Sequence, residues 1–180
     1  LFLRVKAKIS NFLEELVLKK SETVLSAGNT LSKFEIKAKN FIKFSTSTLL
    51  AKEIRGYFKN DFSQSEKILW IYTGVLNKEK GVDLLLMSLK KIRELDKRHT
   101  AILIGREDTS FDINTFLNTN GLNEYVTLTG QIPHEIVIDY LDRADVFVFL
   151  SLHEGMPKSP LEAMAFGVPV VVTATGAEYF

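Results

Sequence analysis

The stretch ILWIYTGVLNKEKGVDLLLMSLKKIREL, residues 68–95, changes its period halfway along. Its first six residues form a continuous apolar run, short and closed by Gly74, which reads as a strand buried on both faces. From Val82 onward the apolar residues fall at 82, 85, 86, 89, 92 and 95, the spacing of one helical face. Between the two lies a loop, residues 74–81, with a glycine at each end and Lys78, Glu79 and Lys80 inside. A buried strand, a polar loop and an amphipathic helix in that order open a parallel α/β layer.

The alternation continues to the end of the chain. AILIG (101–105), YVTLTG (125–130), DVFVFL (145–150) and residues 168–174 read as strands. FDINTFLNTNGL (111–122), HEIVIDYLD (134–142) and residues 160–166 read as helices, the first ending near Gly121 and the second following Pro133. The strands are mostly apolar throughout rather than alternating, which predicts a doubly wound parallel sheet with helices on both faces. In such a sheet ligands bind beyond the carboxyl ends of the strands. The glycine-bearing or charged segments fall there: 74–81, 105–108, 130–133, 151–158 and 175–178.

The preceding residues read differently. Residues 2–20 place Phe2, Val5, Ile9, Phe12, Leu16 and Val17 on one helical face, residues 21–28 and 40–46 read as strands, and a helix is expected between them. A polar stretch, KNDFSQSEK (59–67), is expected to link this part to the next. The expected organisation is therefore a remnant of a second α/β domain over residues 1–58, a linker over 59–67 and the doubly wound domain over 68–180. The chain starts at Leu1 and stops at Phe180 just after a strand-like run, so it reads as a fragment.

The charge supports two regions with different tasks. Residues 1–67 carry 13 Lys/Arg against 7 Asp/Glu, whereas residues 68–180 carry 10 against 15. The absence of cysteine excludes a disulfide framework, a cysteine zinc site and a thiol nucleophile, and three scattered histidines argue against a dedicated zinc site. No run of about 18 apolar residues occurs, and charges interrupt every apolar run near the N-terminus, as they do not in a signal peptide. A cytoplasmic setting fits. Nucleic acid is disfavoured because the basic half lacks a base-reading motif. Its first 20 residues, with Arg4, Lys6, Lys8, Lys19 and Lys20 beside the apolar stripe, also suit a peripheral contact with an anionic membrane at the inner face. The same stripe equally suits packing against a sheet.

The chemistry concentrates in SLHEGMPKSPLEAMAFGVPVVV, residues 151–172. Local rules make residues 159–167 a complete small helix: Ser159 as N-cap, Pro160 at the first helical position, Glu162 where a capping box places its glutamate, and Gly167 at the stop. Glu162 is then either a cap or a carboxylate that accepts hydrogen bonds from the two hydroxyls of a ribose. The free N–H groups of the helix start suit an anion. Glu154, at a strand end beside Gly155, has no capping pattern to explain it; it is either a solvated loop charge or a ligand contact. His153 beside it could touch the same ligand.

This stretch resembles the signature of glycosyltransferase family 4, retaining nucleotide-sugar transferases of GT-B fold, in which two glutamates are separated by seven residues and the second opens an EAMA-G-PVV ending. GVLNKEKGVDLLL, VTLTGQIPHEIVIDYLDRADVFVFLS and TGAE are similar to other family segments in the same order, so the resemblance covers about residues 68–180. It implies a Rossmann-like, donor-binding C-terminal domain that moves a hexose, with retention, from a nucleoside-diphosphate sugar to a sugar or lipid-linked acceptor. By position, Glu154 would hold the sugar hydroxyls, with Gly155, Met156 and Pro157 lining the sugar pocket. Glu162 would bind the ribose, N–H groups near Leu161 and the Lys80 ammonium the diphosphate, and the backbone of Gln131 and Ile132 would flank the base. Gly74 opens the first loop, and no metal or other cofactor is implied. Such a transferase would act at the membrane's cytoplasmic face. A nucleotide-sugar-binding module without turnover and a GT-B epimerase share the fold. The pattern is broken at Val75, where the family usually has an arginine. A charge-assisted phosphate contact of about 1.5–3 kcal/mol is lost with it. Arg106, at the next strand end, is a candidate replacement, although a surface role explains it equally well.

Overall fold

A computed structural model describes residues 23–27, 40–44, 65–154 and 157–173. The chain divides into two compact units, Leu1–Ser47 and Thr48–Phe180. In the first, β1 (Thr23–Ala27) and β2 (Asn40–Phe44) pair in parallel, Thr23 opposite Asn40 and Ala27 opposite Phe44. These are the two strands expected from the sequence. The helices expected at 2–20 and between the strands lie outside the described residues, as does most of the 59–67 stretch.

The second unit is built on five parallel strands. β3 (Ile68–Thr73), α1 (Val82–Leu95), β4 (His99–Ile104), α2 (Ile113–Asn120) and β5 (Val126–Gly130) step outward in one direction. α3 (His134–Arg143) then carries the chain back across the sheet to β6 (Val146–Phe149), and α4 (Lys158–Ala165) leads to β7 (Val170–Val172). The resulting order is β5-β4-β3-β6-β7. With the right-handed crossovers that such connections adopt, the reversal puts α1 and α2 on one face and α3 and α4 on the other. The doubly wound sheet expected from the apolar runs is therefore the observed one.

Burial follows position in the sheet. On the central strand β3, Ile71 and Tyr72 point to opposite faces and both are inaccessible to solvent, which needs helices on each side. The edge strand β7 is only three residues long, and Val171 is half exposed. α1 places Val82, Leu85, Leu86 and Leu89 in the core, as its spacing requires. Its last turn also buries Arg93, whose guanidinium lies 3.3 Å from the Tyr125 ring centre and donates to the carbonyls of Lys97 and His99. The Trp70 indole N–H donates to Nδ1 of His99 at 2.9 Å, and burial lowers the His99 pKa against the opposing pull of Asp96. Asp145, just before β6, binds Leu69 twice: its carboxylate accepts the Leu69 N–H at 2.8 Å and its own N–H donates to the Leu69 carbonyl at 3.0 Å. That clamp fixes β6 in register beside β3, Trp70 opposite Val146.

Candidate active site at the strand ends

The chain reverses its direction of travel between β3 and β6, so the loops leaving these neighbouring strands part to opposite faces and leave a crevice. A cleft of about 480 Å³ occupies that place. Its floor is the end of β3 and the end of β6, where the rings of Tyr72 and Phe149 stack with centres 5.9 Å apart. The Tyr72 hydroxyl donates to the Val75 carbonyl at 2.9 Å, and burial, followed by the negative charge of Glu154, pushes its phenol well above the usual tyrosine range.

One wall is the loop 74–81. It runs on beside the loop after β4 as if the strands continued: the Gly74 N–H donates to the Ile104 carbonyl and the Leu76 N–H to the Arg106 carbonyl, both at 2.9 Å. Asn77 then turns the chain, its side-chain oxygen accepting the Lys80 N–H at 2.9 Å and its amide donating to Asp108 at 3.1 Å. Asp108 also accepts the Ser110 N–H, and these bonds, that of Ser110 first, lower its pKa to about 2. At the far end the loop is bound to the segment after β6. The Glu79 carbonyl accepts the Leu152 N–H at 2.9 Å and the Ser151 hydroxyl at 3.3 Å. Gly81, with φ of 67°, lies so close to Leu150 that a Cβ would be 1.9 Å from the Leu150 carbonyl oxygen. Lys80 is caught between these two fastenings. Its ammonium reaches across the cleft and donates to Oε1 of Glu154 at 2.6 Å.

The opposite wall is the start of α4, and here the sequence rules placed the helix two residues late. α4 begins at Lys158, with Pro157 in extended geometry at the N-cap and no side-chain cap. Ser159 is therefore not the cap and Pro160 is the third helical residue, where its missing N–H is still not needed. Two prolines three residues apart both suit a first turn, which is why the spacing misled. Glu162 consequently lies at the fifth position, beyond the reach of a capping box. Leu161, one turn in, has the Pro157 carbonyl as its helical partner, so the open N–H groups belong to Lys158 and Ser159. The far end closes as expected, with the Gly167 N–H on the Met164 carbonyl and the Val168 N–H on that of Ala163.

Five of the residues expected at a site thus line one cleft: Gly74, Lys80, Glu154, Pro157 and Glu162. Gly155 and Met156 lie outside the described residues. His153 is exposed and outside the cleft lining, whereas Glu154 beside it lines the cleft. Gln131 is exposed and Ile132 packs partly against the core; both belong to the turn that ends in His134. That histidine, which the sequence did not single out, approaches Glu162 at 3.7 Å between Nε2 and Oε1. Tyr72, Gly81, Lys158 and Ser159 were missed as well. Arg106 is exposed, does not line the cleft and acts on Asp108, so it does not replace the arginine absent at Val75. Among the described residues no group of three or more His, Asp or Glu gathers as a metal site would.

Residues 54–178 match the family model of glycosyl transferases group 1. The chain belongs to that family. It is 29% identical over 124 residues to an uncharacterized glycosyltransferase of Methanocaldococcus jannaschii, covering 69% of this chain and 29% of that protein. It is 31% identical over 102 residues to the amylovoran biosynthesis glycosyltransferase AmsK of Erwinia amylovora, covering 53% of this chain and 25% of the other. The chain thus spans less than a third of the length of these relatives. Its fold is similar to that of sucrose-phosphate synthase from Thermosynechococcus elongatus, with a TM-score of 0.75 and 24% identity over 94% of this chain and 45% of that one. The Anabaena protein HepE, solved in complex with UDP and glucose, gives 0.70 and 18% over 90% and 47%. The GT-B architecture and membership of group 1 follow.

Proposed function

We propose that residues 68–180 form the donor-binding part of a retaining, family 4 hexosyltransferase that takes a nucleoside-diphosphate sugar and serves a sugar or lipid-linked acceptor. The observation that carries this reading is the meeting of Lys80, Glu154 and Glu162 in one cleft at the reversal point of the sheet. In that cleft a diphosphate between Lys80 and the start of α4 meets an ammonium and the open N–H groups of Lys158 and Ser159. Glu154 then faces the sugar, and Glu162, 13% exposed and well inside the helix, faces the ribose.

Transfer with retention needs a leaving group that can depart on the face the acceptor enters. Lys80 and the helix start stabilise the charge that grows on the departing diphosphate, and this fixed electrostatic support supplies most of the acceleration. The leaving phosphate takes the acceptor proton, so the reading requires neither a protein base nor a metal ion. The acceptor-binding half and the exclusion of water are assigned to a facing domain, of which residues 1–58 would be a remnant; residues 1–180 alone then bind donor without transferring it. Val75 favours a second reading, a donor-binding module without turnover, because it lines the cleft where an arginine would hold phosphate. Thermal unfolding of the full-length protein with UDP-, GDP- and ADP-sugars tests the donor site. The matching donor at 100 times its dissociation constant adds about 2.7 kcal/mol of stability. No stabilisation by any of the three refutes the site, and failure to release free nucleotide with acceptor extracts selects the module.

A further inference from the structure

The cleft contains a contact that donor binding, as read above, has to undo. Lys80 and Glu154 are assigned to different parts of the donor, the ammonium to the diphosphate and the carboxylate to the sugar, yet they bind each other at 2.6 Å. The pair is not a surface ion pair. The Glu154 side chain is 11% exposed and Lys80 33%, and the stacked rings of Tyr72 and Phe149 line the same cleft. The Tyr72 hydroxyl cannot serve Glu154, since it already donates to the Val75 carbonyl. Among the described residues Lys80 is therefore the cation that compensates this carboxylate. A carboxylate so placed is costly to leave alone and cheap to hold when hydrogen-bond donors surround it.

We propose that the Lys80–Glu154 pair makes the site discriminate between an intact sugar nucleotide and the nucleoside diphosphate left after transfer. The inference rests on the donor-site reading and adds to it. Both ligands draw Lys80 toward the diphosphate. The sugar nucleotide brings hydroxyl groups that donate to Glu154 in place of the lysine, so the exchange is balanced. The bare diphosphate brings none, and it adds its own negative charge beside a largely buried carboxylate that has just lost its counter-ion. Glu154 thereby disfavours the product more than the donor, and the product leaves as Lys80 returns. Lys80 and Glu154 are thus specificity-determining residues as a pair, beyond the contact each makes with the ligand.

Calorimetric titration of the full-length protein with UDP, GDP and ADP, each beside its glucosyl form, tests this in the wild type and in Glu154→Gln, Glu154→Ala and Lys80→Met. For the nucleotide that binds, Glu154→Gln and Glu154→Ala are each expected to tighten the bare diphosphate about tenfold or more, which is about 1.4 kcal/mol. They weaken the glucosyl form, so the ratio of the two affinities collapses. The gain disappears in Lys80→Met/Glu154→Gln, where no ammonium remains to be released. Two variants of different shape guard against a folding defect in either. Binding of a bare diphosphate that stays within twofold of wild type, or weakens, in the folded Glu154 variants overturns the discrimination and leaves the donor site standing. Failure of all six compounds to bind the wild type removes the donor site, and the inference with it.

Discussion

Replacing Gly81 by alanine separates two reasons for a glycine at the edge of the cleft. The first is its backbone, at φ of 67°, where an L side chain costs roughly 1–2 kcal/mol. The second is space: the added Cβ would stand 1.9 Å from the Leu150 carbonyl oxygen, against the 3.0 Å below which real Cβ contacts essentially never occur, so loop and strand end must part by about 1 Å. Overpacking of that kind costs about 1–3 kcal/mol. The sum, about 2–5 kcal/mol, is a large part of the 5–15 kcal/mol that holds an ordinary domain together. Gly121 supplies the control, since its φ is 65° and nothing lies within 4 Å of its virtual Cβ. Gly121→Ala then loses only the backbone part. Urea unfolding of the two variants should show Gly81→Ala less stable than Gly121→Ala by about 1–3 kcal/mol. Because the displaced loop carries Lys80 out of its place opposite the start of α4, donor affinity should fall in Gly81→Ala and hold in Gly121→Ala. Equal destabilisation of the two, with donor affinity intact in both, would show that contact with Leu150 does not position Lys80.

Glu162→Gln is expected to weaken binding of the matching nucleoside diphosphate by about 10–30-fold, charge-assisted bonds becoming neutral ones, and to affect folding less; calorimetry showing unchanged affinity would remove Glu162 from the ribose site. The Asp96 carboxylate is held at about 2, first by the Arg98 side chain and then by the Arg98 N–H, and that of Asp108 likewise at about 2. Both values lie below the unfolded one of about 3.9, so this stabilisation is complete above about pH 4 and is lost as pH falls toward 2. The stability gap between wild type and Asp96→Asn or Asp108→Asn should therefore close over that window in acid unfolding, and a gap that persists at pH 2 contradicts the assignment. No helix among the described residues is long and apolar enough to cross a membrane; from the sequence of residues 1–20 we propose a peripheral contact with an anionic membrane. The full-length protein should co-sediment with anionic vesicles, and less so in high salt, whereas equal recovery with neutral vesicles, unaffected by salt, makes that segment an ordinary packing helix.

What could be read in the sequence was whatever depends on neighbours along the chain. The run 68–73 and the helix 82–95 were legible to the residue because burial on two faces and on one stripe leaves different periods. Glu154 and Glu162 were legible as candidates because strand ends and helix starts carry local signals, and both line the cleft. The start of α4 was not, since Pro157 and Pro160 satisfy the same rule and only the course of the backbone chooses between them. His153 was credited for adjacency to Glu154, yet it is exposed and outside the cleft lining that Glu154 belongs to. His134, 28 positions from Glu162, meets it only because β6 returns beside β3, and no local pattern records that. The same holds for Gly81, whose partner is the carbonyl of Leu150.

The return of β6 to β3 also sets an order in time. Leu69 and its clamp Asp145 are 76 positions apart, with two strands and three helices between them. At 5–20 residues per second, a ribosome takes roughly 4–15 s to deliver the second after the first. Throughout that interval β3 can pair with β4 on one side only. The strand that ends as the centre of the sheet is, while the chain is being made, an open edge bearing Trp70, Ile71 and Tyr72. Such an edge is a template for pairing with any other extended chain. The half of the cleft that carries Lys80 exists early and has no Glu154 to meet, so a ligand cannot rescue this stage. Protection of the nascent chain has to come from whatever covers that edge until residue 146 arrives.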